Sequence, residues 1–134
     1  MDQSGAICRV VVVDDNYGFR LAAEMFLRSL ASVEFVGAAQ DGVEGLELIA
    51  ELKPTVAVID VSMPGMNGFE LVAQLRTRPD APGIVLVSMH VDEAMRIEAQ
   101  RLGVDAIVPK VDFVFDLPAA LQAVSSMRNR NVGR

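Results

Sequence analysis

The chain has 134 residues, a formal net charge of -6 and a hydrophobic fraction of 51%. That length suits one domain with a real core, and the apolar content excludes a disordered chain. The acidic balance repels phosphate backbones and argues against direct nucleic-acid binding. The longest apolar run falls far short of a membrane span, and no basic, apolar leader opens the chain. The single Cys8 rules out an internal disulfide and fits a reducing cytoplasm, with the thiol expected to be buried beside a strand.

The first expected element is the run Val10-Val11-Val12-Val13, which ends on Asp14-Asp15. A helical stretch from Phe19 to Leu30 follows, with Leu21, Ala22, Met25, Phe26 and Leu30 near one face. Phe35 to Ala39 reads as a strand. Asp41 then caps a helix with Glu44 three residues on, an approximate capping box. Val43, Leu46, Ile49, Ala50 and Leu52 form its stripe, and Pro54 stops it. Val56-Ala57-Val58-Ile59 is the next strand run and ends on Asp60. The third helix opens after Asn67-Gly68 with Leu71, Val72 and Leu75 inward. Arg78 to Gly83 is loop by composition. Ile84-Val85-Leu86-Val87 ends on Ser88. A fourth helix spans about Asp92 to Leu102, with Gly103 as C-cap. Ala106-Ile107-Val108-Pro109 ends on Lys110. A fifth helix begins near Asp116, with Pro118 in its first turn and Leu117, Leu121 and Val124 inward. The last residues, 127–134, are polar and basic, a tail or the start of a linker after a domain of residues 1–126.

Five strands alternating with five helices imply an α/β fold with a doubly wound parallel sheet. The four short β-branched runs read as strands buried on both faces. Ligands of such sheets bind outside the carboxyl ends of the strands. If the four strands are neighbours, Asp14, Asp15, Asp60, Ser88 and Lys110 converge on one crevice.

Those residue types suit a divalent metal and a phosphoryl group. Mg²⁺ prefers hard oxygens, and Asp14, Asp15 and Asp60 supply them. Three crowded carboxylates repel one another, and a cation relieves that cost. Asp60 is the nucleophile candidate, since a carboxylate can attack phosphorus to form an acyl phosphate. The loop from Val61 to Gly68 bends away and exposes carbonyls that can complete a metal shell. Ser88 offers a hydroxyl and Lys110 a point charge to phosphoryl oxygens. Phosphorylation replaces one negative charge with about two, so the donors must tighten. His90, the only histidine, reads as a loop residue near the mouth, with no triad, zinc cluster or nucleotide-binding glycine motif around it.

On Val11-Val12-Val13-Asp14-Asp15, Asp41-Gly42, the run Pro54 to Asp60, Met63-Pro64-Gly65-Met66-Asn67-Gly68, Ser88 and Lys110, the chain closely resembles the receiver domain of two-component response regulators. The Val87-Ser88-Met89-His90 segment is similar to receivers that precede LuxR-type helix-turn-helix output domains. The resemblance implies a flavodoxin-like sheet of order 2-1-3-4-5. It implies Asp60 as phosphoacceptor, and Asp14, Asp15, Asp60 and the Ser62 backbone carbonyl as Mg²⁺ ligands. Ser88 and Lys110 would bind the phosphoryl group. It also implies a sensor histidine kinase as donor, and a DNA-binding output domain or a homodimer partner for a transcription-regulating phosphorelay. The domain would catalyse only its own phosphoryl transfer and dephosphorylation. Two positions depart from the family pattern: Ile107 stands where Tyr or Phe is usual, and Pro109 precedes Lys110 whereas the usual proline follows it.

Two other functions fit less well. One is a receiver-fold docking module acting without phosphorylation, which Ile107 favours. The other is a phosphatase of the haloacid dehalogenase class, which needs a second Asp where Ser62 stands.

Overall fold

Val10 to Val13, Val56 to Ile59 and Ile84 to Val87 are entirely buried, with no side chain on either sheet face reaching water. β-Branched runs shielded on both faces form the middle of a parallel sheet. The structure, a computed structural model, describes residues 7–132, with side chains through residue 127. Its strands are β1 (Cys8–Val13), β2 (Val33–Ala39), β3 (Val56–Asp60), β4 (Gly83–Ser88) and β5 (Ala106–Pro109). They form one parallel sheet of order β2-β1-β3-β4-β5. The order reverses between β1 and β3, which places the crevice between the ends of those two strands.

The helices are α1 (Tyr17–Arg28), α2 (Gly42–Leu52), α3 (Gly68–Leu75), α4 (Glu93–Arg101) and α5 (Phe113–Val132). α1 and α5 cover one face of the sheet, packing Ala23, Leu27, Phe113, Leu117, Leu121 and Val124 against it. α2, α3 and α4 cover the other with Ile49, Leu71, Val72, Leu75, Met95 and Ala99. Cys8 is buried within the first core, and burial raises its thiol pKa.

Several expectations need correction. The apolar run ending on Lys110 is not buried on both faces. β5 is an edge strand, only Val108 of it is fully buried, and proline, which cannot donate to a ladder, is confined to such edges. The face of α1 is also turned. Leu21, Ala22 and Met25 point to solvent, while Phe19, Ala23, Phe26, Leu27 and Leu30 pack inward. On α2, Val43 and Ala50 are exposed, and Gly45 and Leu48 take their place. Gly45 is needed because a Cβ there would stand 2.9 Å from Val13.

α5 starts at Phe113, three residues earlier than expected, after a 3-10 turn over Lys110–Asp112. Pro118 therefore sits in the second turn and withholds a helical N–H. The helix continues through Val132, so residues 127–132 are helical; 133 and 134 lie outside the described residues. The β2 strand begins at Val33, two residues before the expected Phe35, and a bulge opposite Val10/Val11 follows.

The caps follow their expected chemistry. Asp41 accepts from the Glu44 N–H at 2.8 Å, while the Glu44 carboxylate returns to Gln40, one residue before the cap. α3 carries a full capping box between Asn67 and Glu70.

Candidate functional site

Each expected site residue stands at the carboxyl end of a strand. Asp14 follows β1, Asp60 ends β3, Ser88 ends β4 and Lys110 follows β5. Parallel register brings these ends to one level: Asp60 pairs with Val87, and Ser88 with Pro109. Gly68 shapes the loop after β3. Its N–H bonds the Val61 carbonyl at 2.9 Å, and any Cβ would lie 2.4 Å from the Asp60 carbonyl oxygen. Only glycine lets α3 begin this close to Asp60.

A cleft of about 390 Å³ opens above these ends, lined by Asp15, Asp60, Ser62, Ser88, His90 and Lys110 among others. A larger groove of about 570 Å³ runs along α3 past Gly65, Met66, Glu70, Ala73, Gln74 and Thr77. Its one carboxylate, Glu70, already serves the α3 cap, so the groove holds no convergent charge.

Asp14 is fully buried beneath the cleft, and Asp15 is exposed at its rim. One oxygen from each of Asp14, Asp15 and Asp60 lies within 4.8 Å of the others. Asp14 Oδ1 accepts from the Asn16 N–H at 2.8 Å. Its Oδ2 is buried and receives no well-directed hydrogen bond among the described residues, although the Lys110 ammonium stands 2.7 Å away. The same Nζ lies 3.7 Å from Asp60 Oδ1 and 4.3 Å from the centre of the Phe19 ring. Phe19 is itself held edge-on against Phe113. The aromatic face and Asp14 together aim the lysine.

Asp60 is almost fully buried, and its pKa is pushed up to about 6. Desolvation is the main cause, followed by repulsion from Asp14 and a smaller push from Asp15; Lys110 and the Ser62 backbone N–H oppose the rise. A carboxylate whose pKa is raised by burial and like charge is the kind of group found in reactive crevices.

This arrangement fits a hard divalent cation. Three carboxylate oxygens sit at a spacing that one ion can span, Asp14 carries a buried oxygen without a directed donor, and a net negative charge is held there against desolvation.

Ser88 has a local partner in the unmodified protein. Its hydroxyl donates to the His90 carbonyl at 2.8 Å and accepts from the His90 N–H at 3.2 Å. The hydroxyl thus clips the β4–α4 loop. Ile107 is half-buried and packs against the core of the sheet's second face. Sequence reasoning missed Phe19, Asn16 and Arg20, whose guanidinium donates to the Asp14 carbonyl at 2.7 Å. Nothing short of the fold places Phe19 near Lys110; Asn16, as an N-cap residue type before a helix, was readable.

Residues 10–122 match the model of the response regulator receiver domain. The chain belongs to this family. It is 34% identical over 103 residues to a protein-glutamate methylesterase/protein-glutamine glutaminase of Lawsonia intracellularis, covering 76% of this chain and 29% of that protein. It is 36% identical over 120 residues to the response regulator MprA of a Mycobacterium species, covering 87% of this chain and 50% of that one. The signal receiver domain of the response regulator NarL from Mycobacterium tuberculosis superposes with a TM-score of 0.81 at 32% identity, covering 92% and 97% of the two chains. This receiver therefore spans only about a third to a half of these curated relatives. Among the described residues, no helix is long and apolar enough to cross a membrane.

Proposed function

We propose that this receiver is a phosphorylation-dependent switch of a two-component system, with Asp60 as its phosphoacceptor. The observation that carries the reading is the placement of Lys110 between Asp14 and Asp60 beneath a cleft whose three carboxylate oxygens lie within 4.8 Å. Asp14, Asp15, Asp60 and the Ser62 backbone carbonyl would hold Mg²⁺. When bound, that ion supplies the positive charge that offsets the carboxylates and the incoming phosphoryl oxygens.

The residues themselves perform the rest. The carboxylate of Asp60 attacks the phosphorus of a phosphohistidine on a sensor kinase. The phosphorus–nitrogen bond breaks, and an acyl phosphate forms on Asp60. Lys110, already aimed by Phe19 and Asp14, pairs with a phosphoryl oxygen. The Ser88 hydroxyl turns to another and leaves the His90 carbonyl. The β4–α4 loop loses its clip, and the surface around the start of α4 shifts its population. Hydrolysis of the acyl phosphate resets the switch, so the catalysis is confined to the domain's own modification. The single Cys8 is consistent with a cytoplasmic setting.

The altered surface would act on an output domain or a second copy. Similarity to the transcriptional regulatory protein LiaR of Bacillus subtilis, 29% identical over 117 residues, supports transcription regulation, for which a DNA-binding output domain would be the effector. The switch itself is assigned to residues 1–126, with the basic end of α5 leading into a tail or linker.

A second reading, a docking module independent of phosphorylation, draws on Ile107, which lacks the aromatic ring usual at that position. Beryllofluoride with Mg²⁺ separates the two. Binding that perturbs Asp60 and the β4–α4 loop supports the switch. No perturbation at saturating reagent supports the docking module.

A further inference from the structure

α4 is the least embedded helix of the sheet's second face. It buries only Met95 and Ala99, and Ile97 is 60% exposed. Each of its ends is clipped by a different device. At the N-terminal end are the Asp92 cap, which accepts from the Met95 N–H at 2.9 Å, and the Ser88–His90 pair in the preceding loop. At the C-terminal end, Gly103 adopts a φ of 74°, and the N–H groups of Gly103 and Val104 return to the Gln100 and Ala99 carbonyls.

Arg76, the residue that ends α3, lies against this second end. Its Nε donates to the Leu102 carbonyl at 3.3 Å and its Nη2 to the Gly103 carbonyl. The same Nη2 stands 3.5 Å from Asp105 Oδ2, and that oxygen accepts from the Ile84 N–H at 2.8 Å. One guanidinium thus joins the end of α3, the end of α4, the approach to β5 and the start of β4. A cation at a helix C-terminus is favoured by the helix dipole, and the planar fork reaches several acceptors at once.

We infer that Arg76 is a positioning residue for the switch: it pins the C-terminal end of α4, so that releasing the Ser88 clip moves only the N-terminal end, pivoting at Gly103. This inference rests on the phosphorylation reading for its second half. The pin itself is a property of the unmodified protein. Ser88 holds the loop that leads into α4 and Arg76 holds the helix's C-terminal end, and the phosphoryl group competes only for Ser88.

Amide hydrogen exchange of the full chain tests both halves. In the unmodified protein, Arg76→Ala should speed exchange at residues 100–104 by about tenfold, with little change at residues 56–60 of β3. Arg76→Lys, which keeps the charge but not the fork, should fall between. Beryllofluoride with Mg²⁺ should alter exchange at residues 88–96 of the unaltered protein, and across 88–104 in Arg76→Ala. Unchanged exchange at 100–104 in the unmodified variant overturns the pin. A response still confined to 88–96 in Arg76→Ala overturns its role in the switch. If Arg76→Ala does not fold, Arg76→Lys and Asp105→Asn are read by the same criteria. Absence of any response near Asp60 in the unaltered protein defeats the phosphorylation reading instead, and the pin then stands or falls on the exchange rates of the unmodified forms.

Discussion

The ammonium of Lys110 stands 2.7 Å from Asp14 Oδ2 and 3.7 Å from Asp60 Oδ1. In the unphosphorylated state its nearer partner is therefore the buried acid, not the phosphoacceptor candidate. Lys110→Ala leaves Asp14 buried without its counter-charge, which costs on the order of 3 kcal/mol. We expect a lower melting temperature, partly restored by Mg²⁺. Labelling by acetyl phosphate should persist, because attack comes from Asp60, while the response of the β4–α4 loop shrinks. Loss of labelling in this variant would move Lys110 into the transfer step.

Divalent cation should stabilise the native state, since it relieves repulsion among Asp14, Asp15 and Asp60. At ten times its dissociation constant the ion contributes about 1.4 kcal/mol, a rise of roughly 3–5 °C in melting temperature for a chain of this size. Asp15→Ala should diminish the rise. Thermal melts in millimolar-range Mg²⁺ and in excess EDTA make the comparison. Identical curves would show that the acids hold no metal.

Stability should depend on pH through Asp60. Its native pKa, about 6, lies above the ordinary carboxylate value of 3.8. The native state therefore holds a proton that the unfolded chain has released. That contribution is fully present below about pH 4 and is lost as pH rises through about 6. Without metal, this component lowers stability on the order of 1–2 kcal/mol between pH 4 and 7, allowing for screening at the open cleft. Asp60→Asn should flatten this component. Denaturant titrations in EDTA across that range test it, and a variant with an unchanged slope would place the titration elsewhere.

The strands were legible because β-branched runs such as Val10 to Val13 have no other good use, and each ends abruptly on a polar residue. The site followed, since the ends of adjacent parallel strands must meet. The face of α1 was not legible. Leu21 and Met25 are as apolar as Ala23 and Leu27, and only the packing against Phe113 and the sheet decides which side is buried. The start of α5 was hidden because Lys110–Asp112 forms a 3-10 turn without a side-chain cap. The Lys110–Asp14 pair could not be chosen from sequence, where all three carboxylates are equivalent candidates. The Ser88–His90 clip depends on a loop conformation that local propensity does not encode.

The signal should leave through that clip. Ile107 is β-branched, stiff at χ1 and packed against the second core, so its own rearrangement should be muted. On adding beryllofluoride and Mg²⁺, the largest backbone amide shifts outside the site should fall at residues 88–96. Ser88→Ala, which removes the clip beforehand, should shift the same residues without reagent and reduce the later response. Changes centred on residues 105–109 and α5 would show a strand-centred route instead.

Asp60 should accept a phosphoryl group with the help of a divalent cation, and intact mass after incubation with acetyl phosphate and Mg²⁺ is the decisive readout. One added phosphoryl group is expected, abolished by excess EDTA and absent in Asp60→Asn. Equal labelling of Asp60→Asn, or equal labelling without the cation, would rule out Asp60 as the metal-assisted phosphoacceptor.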